Sequence, residues 1–448
     1  MTRRILPLLL IATLCACGDD GDGGAIADGA ATPDAVADVA PDAASPDVAS
    51  PDTAAGPDAT TDSTPGPDAA LPDADASPDV ASPDATSLSG VNLGSVALDP
   101  NSGRSQLLSF TVPSDAVSFA ITAVGGSGIR FAVEDLRAPD NQVLMASGWS
   151  QNFQNAGGQF CLTCLNRGSV AEAASATMVP MAPTLSVAPG GTYSFQIFGY
   201  TQTLLGGFFP QNTPSGDPVS VSVNWKTAPS AALPATGVID LNLHFTGSDG
   251  LNAGGAPFDT RIKQAMIDFA SLYAQAGITI GRVTYRDIDP MFQVVDGYLG
   301  PDNDFELAAR QTQGAEPGVN LIFVRDIVDS SLGPGAVILG ISGGIPGPVG
   351  LTGTGRSAVI VDGSPPAIAG PNALGLTMAH EVGHFLGLYH SSENPQAGIH
   401  DPIPDTAEND STNLMYFMGG SLSGKISAQQ SAVMRGNPWI RTDLTEAK

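Results

Sequence analysis

Basic side chains are scarce. The 448 residues hold 18 Lys+Arg against 45 Asp+Glu, a formal net charge of −27. That excludes nucleic acid as a partner, because gripping a phosphate backbone needs a surplus of Lys and Arg. Aromatic residues are few, 6%, while Gly (53) and Pro (36) are many. That mixture excludes a helical bundle and suggests loop-rich β structure beside a disordered part. Long apolar runs are missing too. The run from Ile5 to Leu14 falls far short of the ~20 residues a membrane-spanning helix needs. Cysteine is limited to positions 15, 17, 161 and 164. What is present is length, enough for two or three domains that each bury a core.

The charge is unevenly spread. Residues 18–88 hold 16 Asp and neither Lys nor Arg; with Arg3 and Arg4 set apart, 89–448 carries −13. Arg3 and Arg4 precede the short apolar run, and small residues follow it, as in a secretion signal. Leu14-Cys15-Ala16-Cys17 resembles a bacterial lipoprotein box. The resemblance implies a signal peptide over 1–17, Cys17 as the lipidated first residue of the mature chain, and an extracytoplasmic place on an envelope membrane or cell surface. Pro-Asp then recurs nine times between 33 and 84 at uneven spacing. With almost no large apolar residues to offset the entropy of ordering, 18–88 reads as a disordered linker. As a flexible coil of ~70 residues it would span ~45 Å, and its prolines and like charges extend it further.

Residues 89–228 carry short alternating segments at Leu107–Val112, Val117–Val124, Ile129–Val133, Tyr193–Phe198 and Val219–Trp225, punctuated by Gly, Pro, Asn and Asp. Period two with turn signals predicts an antiparallel two-sheet sandwich. The stretch from Pro189 to Ile197 resembles the late hairpin of sandwich modules attached to secreted bacterial peptidases, which implies an accessory role. Cys161-Leu-Thr-Cys164 sits between strands. Outside the cytosol it reads as a local disulfide. A redox motif lacks the βαβ surroundings it needs, a zinc ribbon lacks its second Cys pair, and a thiolate that blocks a metal site is a further alternative.

Residues 236–448 change character. Val238–Phe245 alternates as a strand. Asp259 opens a helix whose apolar positions Ile262, Met266, Phe269 and Tyr273 follow the 3.6-residue period, and Gly277 closes it. Strands follow near Ile278–Tyr285, Val319–Val324 and, as an edge, Ser357–Val361. A second helix spans Leu374–Leu386. The fold class is α+β, a mixed sheet backed by two helices. The Gly- and Pro-rich run 332–355 reads as a loop.

The second helix contains His380-Glu381-Val-Gly-His384-Phe-Leu-Gly387-Leu-Tyr-His390, which takes three of the chain's five histidines. His380 and His384 lie 400° apart on a helix, one turn apart on one face, which suits two nitrogens on one zinc. Glu381 lies 100° round, near enough to reach a metal-bound water without ligating. His390 would fall 240° off that face and ~9 Å further along a straight helix. The chain must turn back, and Gly387 allows a left-handed turn. The five-position pattern arises by chance on the order of once in several hundred thousand such chains.

This segment resembles the metzincin metallopeptidases. The resemblance covers roughly 236–440 and implies a mixed twisted sheet with an active-site helix, and a Met-containing turn beneath the metal. Asn413-Leu-Met415-Tyr416 fits that turn, with Met418 as a competing methionine. Pro404-Asp405-Thr406 and Gln429-Gln430 to Met434-Arg435 look like the pappalysin-type branch. Phe417, where that branch tends to have Tyr, and Tyr416 directly after Met415 are closer to the matrixin arrangement. The resemblance implies Zn²⁺ on His380, His384 and His390, Glu381 as general base, Gly387 and Met415 as structural support, and Tyr416 as a candidate transition-state donor. Protein or peptide is the implied substrate.

Three neutral imidazoles leave a zinc with an open position, the catalytic arrangement. His400, Asp401 and Asp405 are a candidate Ca²⁺ site or substrate wall, and His244 on its strand reads as structural. Two functions compete: a membrane-anchored zinc endopeptidase, and an inactive peptidase-like surface protein that binds through its sandwich. An inactive form is expected to lose Glu381 or a ligand, and all are present.

Overall fold

The computed structural model describes residues 13–14, 88–151, 161, 164–205, 209–297, 302–328, 337–364, 372–394, 399–417 and 424–442. The leader apart from Thr13–Leu14, Cys17, the Asp/Pro tract and Met418 lie outside them. From residue 88 onward the described chain belongs to one compact unit.

The alternating segments of the first part give β1 (Ser89–Val96), β2 (Leu108–Thr111), β3 (Ala116–Val124), β4 (Arg130–Arg137), β5 (Val143–Met145), β6 (Ala171–Glu172), β7 (Ala174–Val179), β8 (Thr192–Leu205), β9 (Phe209–Pro214) and β10 (Val219–Thr227). One sheet has the order β1-β10-β3-β7. The other has β9-β8-β4-β5, with β2 on β8 and β6 on β4. Every pairing is antiparallel. Phe119, Ile121 and Ala123 of β3 share a core with Phe131 and Val133 of β4 and with Phe195 and Ile197 of β8. The rings of Phe119 and Tyr193 meet edge to face, 4.7 Å apart. Successive residues point to opposite faces of a strand. Ala120 of β3 and Met178 of β7 therefore leave this core and enter a second one, built mainly by residues beyond 236.

That second part begins with β11 (Gly237–Phe245), α1 (Thr260–Gln275) and β12 (Ile278–Asp287). Asp259 caps α1 by accepting from the amides of Arg261 and Ile262. Gly277 follows the helix at φ +71°. Then come β13 (Val294–Asp296), α2 (Asp304–Arg310), β14 (Val319–Val324), β15 (Asp326–Val328), β16 (Val337–Ile338), β17 (Gly340–Ser342), β18 (Val359–Asp362), α3 (Ala373–Phe385), β19 (Ser392–Asn394), β20 (Ile399–His400), α4 (Ala428–Gly436) and β21 (Ile440–Arg441). The main sheet has the order β12-β11-β14-β18-β17. Its first four strands are parallel and β17 is antiparallel. β21 pairs antiparallel with the start of β11, Val238 with Arg441 and Ile239 with Ile440. β14 and β18 are buried throughout, as parallel strands covered on both faces are. The chain is thus a mixed α+β protein.

Two expectations change. The strand at Ser357–Val361 is interior; the edge is β17, inside the run that reads as a loop. A three-residue strand containing glycine has no alternation to detect. Beside the two helices expected there are α2 and α4, seven and nine residues long, too short to show a helical period.

Candidate metal centre

Helix α3 is buried on nearly every side; of its residues only Leu376 is not fully covered. A helix buried all round sits inside a core, and here Thr377, His380, Glu381 and His384 are the polar side chains taken in with it. α1 lies close against it. A Cβ at Gly375 would come within 2.6 Å of Asp268 Cβ, so glycine there permits the approach. The buried Tyr273 hydroxyl of α1 donates to Ala379 O at 3.1 Å, fixing the turn that ends in His380.

The helix stops at Leu386. Gly387 follows at φ +110°, its amide bonds to His384 O at 2.8 Å and the Leu388 amide to Gly383 O at 3.0 Å. This reversal brings His390 back to the helix. The Nε2 atoms of His380 and His384 are 3.0 Å apart, those of His380 and His390 3.3 Å, and those of His384 and His390 3.2 Å. All three rings are buried.

Protonation follows from the partners. His380 Nδ1 is 2.6 Å from Leu414 O, and His384 Nδ1 is 2.6 Å from Leu388 O. A carbonyl only accepts, so each Nδ1 carries the hydrogen and each Nε2 presents a lone pair. Burial, with His390 beside it, pushes the His380 pKa down to about 3. Burial and then the other two rings push His384 well below the usual histidine range. The Nε2 lone pairs of His380 and His384 and the Nε2 of His390 converge on one point. The cluster can hold a metal ion. It is the one group of three or more His, Cys, Asp or Glu among the described residues whose ligand atoms come together.

The Leu414 carbonyl that orients His380 belongs to the loop carrying Met415 and Tyr416. Met415 is fully buried. A Cβ at Gly383 would meet its sulfur at 2.9 Å, so the thioether lies directly under α3 between the two ligand positions. Asn413 and Gln430 hold this loop to α4: each amide donates to the other's oxygen at 3.0 Å. Gln430 also closes a capping box with Ser427 at the start of α4. Tyr416 is half-buried, its ring 5.0 Å from that of Phe417.

Glu381 is fully buried on α3. β17 passes against it: a Cβ at Gly340 would lie 2.5 Å from Glu381 Cγ and 2.9 Å from Thr377 Cγ2. The Thr377 hydroxyl is buried without a hydrogen-bond partner among the described residues. Sequence reasoning missed Gly340 and Thr377. The first reads as one loop glycine among many. The second stands one turn before Glu381, and that i, i+4 relation was the available signal.

The other candidates sit elsewhere. His400, Asp401 and Asp405 do not form a ligand set. Asp401 Oδ1 accepts from the Ile403 amide at 3.0 Å and from Thr406 Oγ1 at 2.7 Å. Burial pushes the Asp401 carboxyl up to about 6. Asp405 accepts from Ser427 Oγ and the Gln429 amide at 2.6 and 3.0 Å; it braces the start of α4. His244 is buried with Nε2 3.1 Å from Asn320 Oδ1, and burial lowers its pKa to about 4. Cys161 and Cys164 are joined as a disulfide.

No protein-family model matches the chain, and no curated protein matches it. Among solved structures it is similar to metalloproteinase-II from Bacteroides fragilis, at 16% identity and TM-score 0.27, over 51% of this chain. The match spans 65% of that protein's length. It is similar to a family two carbohydrate esterase from Cellvibrio japonicus at 12% identity and TM-score 0.11, over 53% of this chain and 68% of that one. Likenesses this slight carry no argument, and the site stands on its own side chains: a buried three-histidine cluster, able to bind a metal ion, in a mixed α+β protein.

Proposed function

We propose that the chain is a zinc-dependent endopeptidase of the metzincin type, with His380, His384 and His390 as ligands and Glu381 as general base. The observation that carries this reading is the convergence of three buried histidine Nε2 atoms, two of them from the helix that also carries the buried Glu381. The donor set fits zinc. Two nitrogens about 2.0–2.1 Å from one tetrahedral zinc stand about 3.3–3.4 Å apart, close to the separations seen here, and an all-imidazole set favours zinc over Ca²⁺ or Mg²⁺. Both defined rings donate their second nitrogen to a carbonyl, the usual arrangement behind zinc-bound histidine.

Zinc held there would polarise the scissile carbonyl and make a water acidic enough to lose a proton near neutral pH. The Glu381 carboxylate takes that proton and later gives it to the departing amine nitrogen. Burial keeps bulk water from competing for it. Gly387 supports the set by turning His390 inward, and Met415 by filling the space beneath the ligands. Tyr416 is a candidate donor to the developing oxyanion.

Protein or peptide is the substrate on this reading. The lipobox-like Cys17 and the acidic linker support a lipid-anchored, extracytoplasmic place. The test is hydrolysis of casein and of a quenched-peptide library by the chain and by Glu381→Ala, with zinc content read on both. Cleavage by the parent alone, with about one zinc in each, is the expected result. Absence of zinc from both overturns the ligand set.

A further inference from the structure

The two-sheet part of the chain reaches the metal cluster. Strand β7 is buried on both faces. Val179 faces the core between its two sheets, while Met178 turns the other way and, with Met181, joins the core of α3. There the two methionines meet the Gly387 turn. A Cβ at Gly387 would lie 3.3 Å from Met178 Cε and 3.6 Å from Met181 Cε. The space that a side chain at 387 would need is thus filled largely from the other part of the molecule, with Val433 Cγ1 of α4 the third neighbour at 3.7 Å.

One side chain sets both methionines. Asn166, fully buried, donates through Nδ2 to Met178 O at 2.8 Å and accepts from the Met181 amide at 2.9 Å. Its neighbour Arg167 extends the contact. Arg167 Nη1 donates to Cys161 O at 3.0 Å and Nη2 to His400 O at 3.1 Å. His400 pairs with Ser392 across β19 and β20, two residues beyond His390. The third histidine is therefore braced on both sides of its sequence position: behind the turn that precedes it and along the hairpin that follows it.

We propose that Met178 and Met181 are positioning residues of the metal centre, so that the two-sheet part is a structural wall of the site and not an appended binding module. This rests on the reading of His380, His384 and His390 as ligands. The physical reason is local. A turn at positive φ with no side chain has few contacts of its own. Methionine, long and unbranched, fits an irregular gap of that kind. Without the two thioethers the Gly387 turn gains freedom, and His390 spends less time at ligand distance from the other two.

The test uses the full chain loaded with one equivalent of zinc, and follows metal transfer to an excess of a chromophoric chelator. Parent and His384→Ala come first: tight binding by the parent, lost in the variant, secures the ligand reading independently. The double variant Met178→Ala/Met181→Ala is then compared with Ile121→Ala, which opens a cavity in the core between the two sheets, on the face of the sheet opposite Met178. The proposal expects the double variant to release zinc at least tenfold faster, and Ile121→Ala to stay within twofold of the parent despite a lowered Tm. Met178→Leu/Met181→Leu, which keeps volume, should restore slow release, and this holds the test open if the alanine variant folds poorly. With cobalt in place of zinc, the visible absorption band should change in the alanine variant and not in the control. Equal release by double variant and control, or parent-like release by the double variant, overturns the proposal while leaving the ligand set intact.

Discussion

Glu381 and the three histidines place the sharpest prediction at single side chains. If Glu381 is the proton acceptor, Glu381→Gln keeps its shape and loses its basicity. It should lower kcat/KM by about 10²–10⁴-fold with metal content unchanged, read by peptide hydrolysis and metal analysis on one preparation. Loss of metal in that variant would make Glu381 a support of the ligands instead. These positions were legible because their geometry is local: His380 and His384 are one turn apart, and Gly387 is the break that His390 requires. The atoms that set the proton positions were not legible. Leu414 O and Leu388 O are backbone carbonyls, and any residue supplies one. Only the fold says which carbonyl stands behind which ring.

Secondary-structure elements bring those side chains together, and two contacts between them can be tested. β17 approaches α3 where Gly340 has no side chain. A Cβ there lands 2.5 Å from Glu381 Cγ, so Gly340→Ala must push the carboxylate aside. Activity should fall at least tenfold while metal content stays near the parent's, and Tm should drop as the overpacked contact costs about 1–3 kcal/mol, measured by kinetics, metal analysis and calorimetry. The second contact is the amide pair between the Met415 loop and α4. Asn413→Leu leaves the buried Gln430 amide without its partner, a cost of about 1–3 kcal/mol. It also loosens the loop whose carbonyl orients His380; removal of such outer support typically weakens metal binding about 10–100-fold. Chelator competition and thermal unfolding check both. At this scale the long elements were readable, since Asp259 and Gly277 bracket α1 as caps should. β17 was hidden in a glycine-rich run. The capping box at Ser427 and Gln430 was in plain view, but its second use, gripping Asn413, needed the tertiary structure.

Over the whole molecule the boundary near 228–236 separates two sequence patterns without separating two bodies. Lys226, at the end of β10, is buried and donates through Nζ to Arg435 O at 2.5 Å and Ile440 O at 2.6 Å. It thereby covers one carbonyl at the C-terminal end of α4, where a helix favours a cation, and one of β21. Burial, and then the Arg435 charge, bring its pKa down to about 7 from 10.5. The unfolded chain therefore binds more protons between pH 7 and 10.5 than the folded one. Stability from this group rises with pH across that window, by at most about 1.4 kcal/mol per pH unit, and is flat below it. Denaturant unfolding from pH 7 to 10 should show that slope in the parent and a shallower one in Lys226→Met. Sequence periodicity could not reveal such a contact, since Met178 and Lys226 look like ordinary strand residues until the opposite surface is known. The pairing of β21 with the start of β11 bears on the order of assembly. N-terminal segments emerge first during synthesis, yet β11 gains this neighbour, and Lys226 its second carbonyl, only when residues 440 and 441 have left the ribosome. Gln430 and its grip on Asn413 also arrive after all three histidines. The three-histidine cluster is consequently braced only after chain well beyond His390 has been made, so its assembly is coupled to the folding of segments downstream of it.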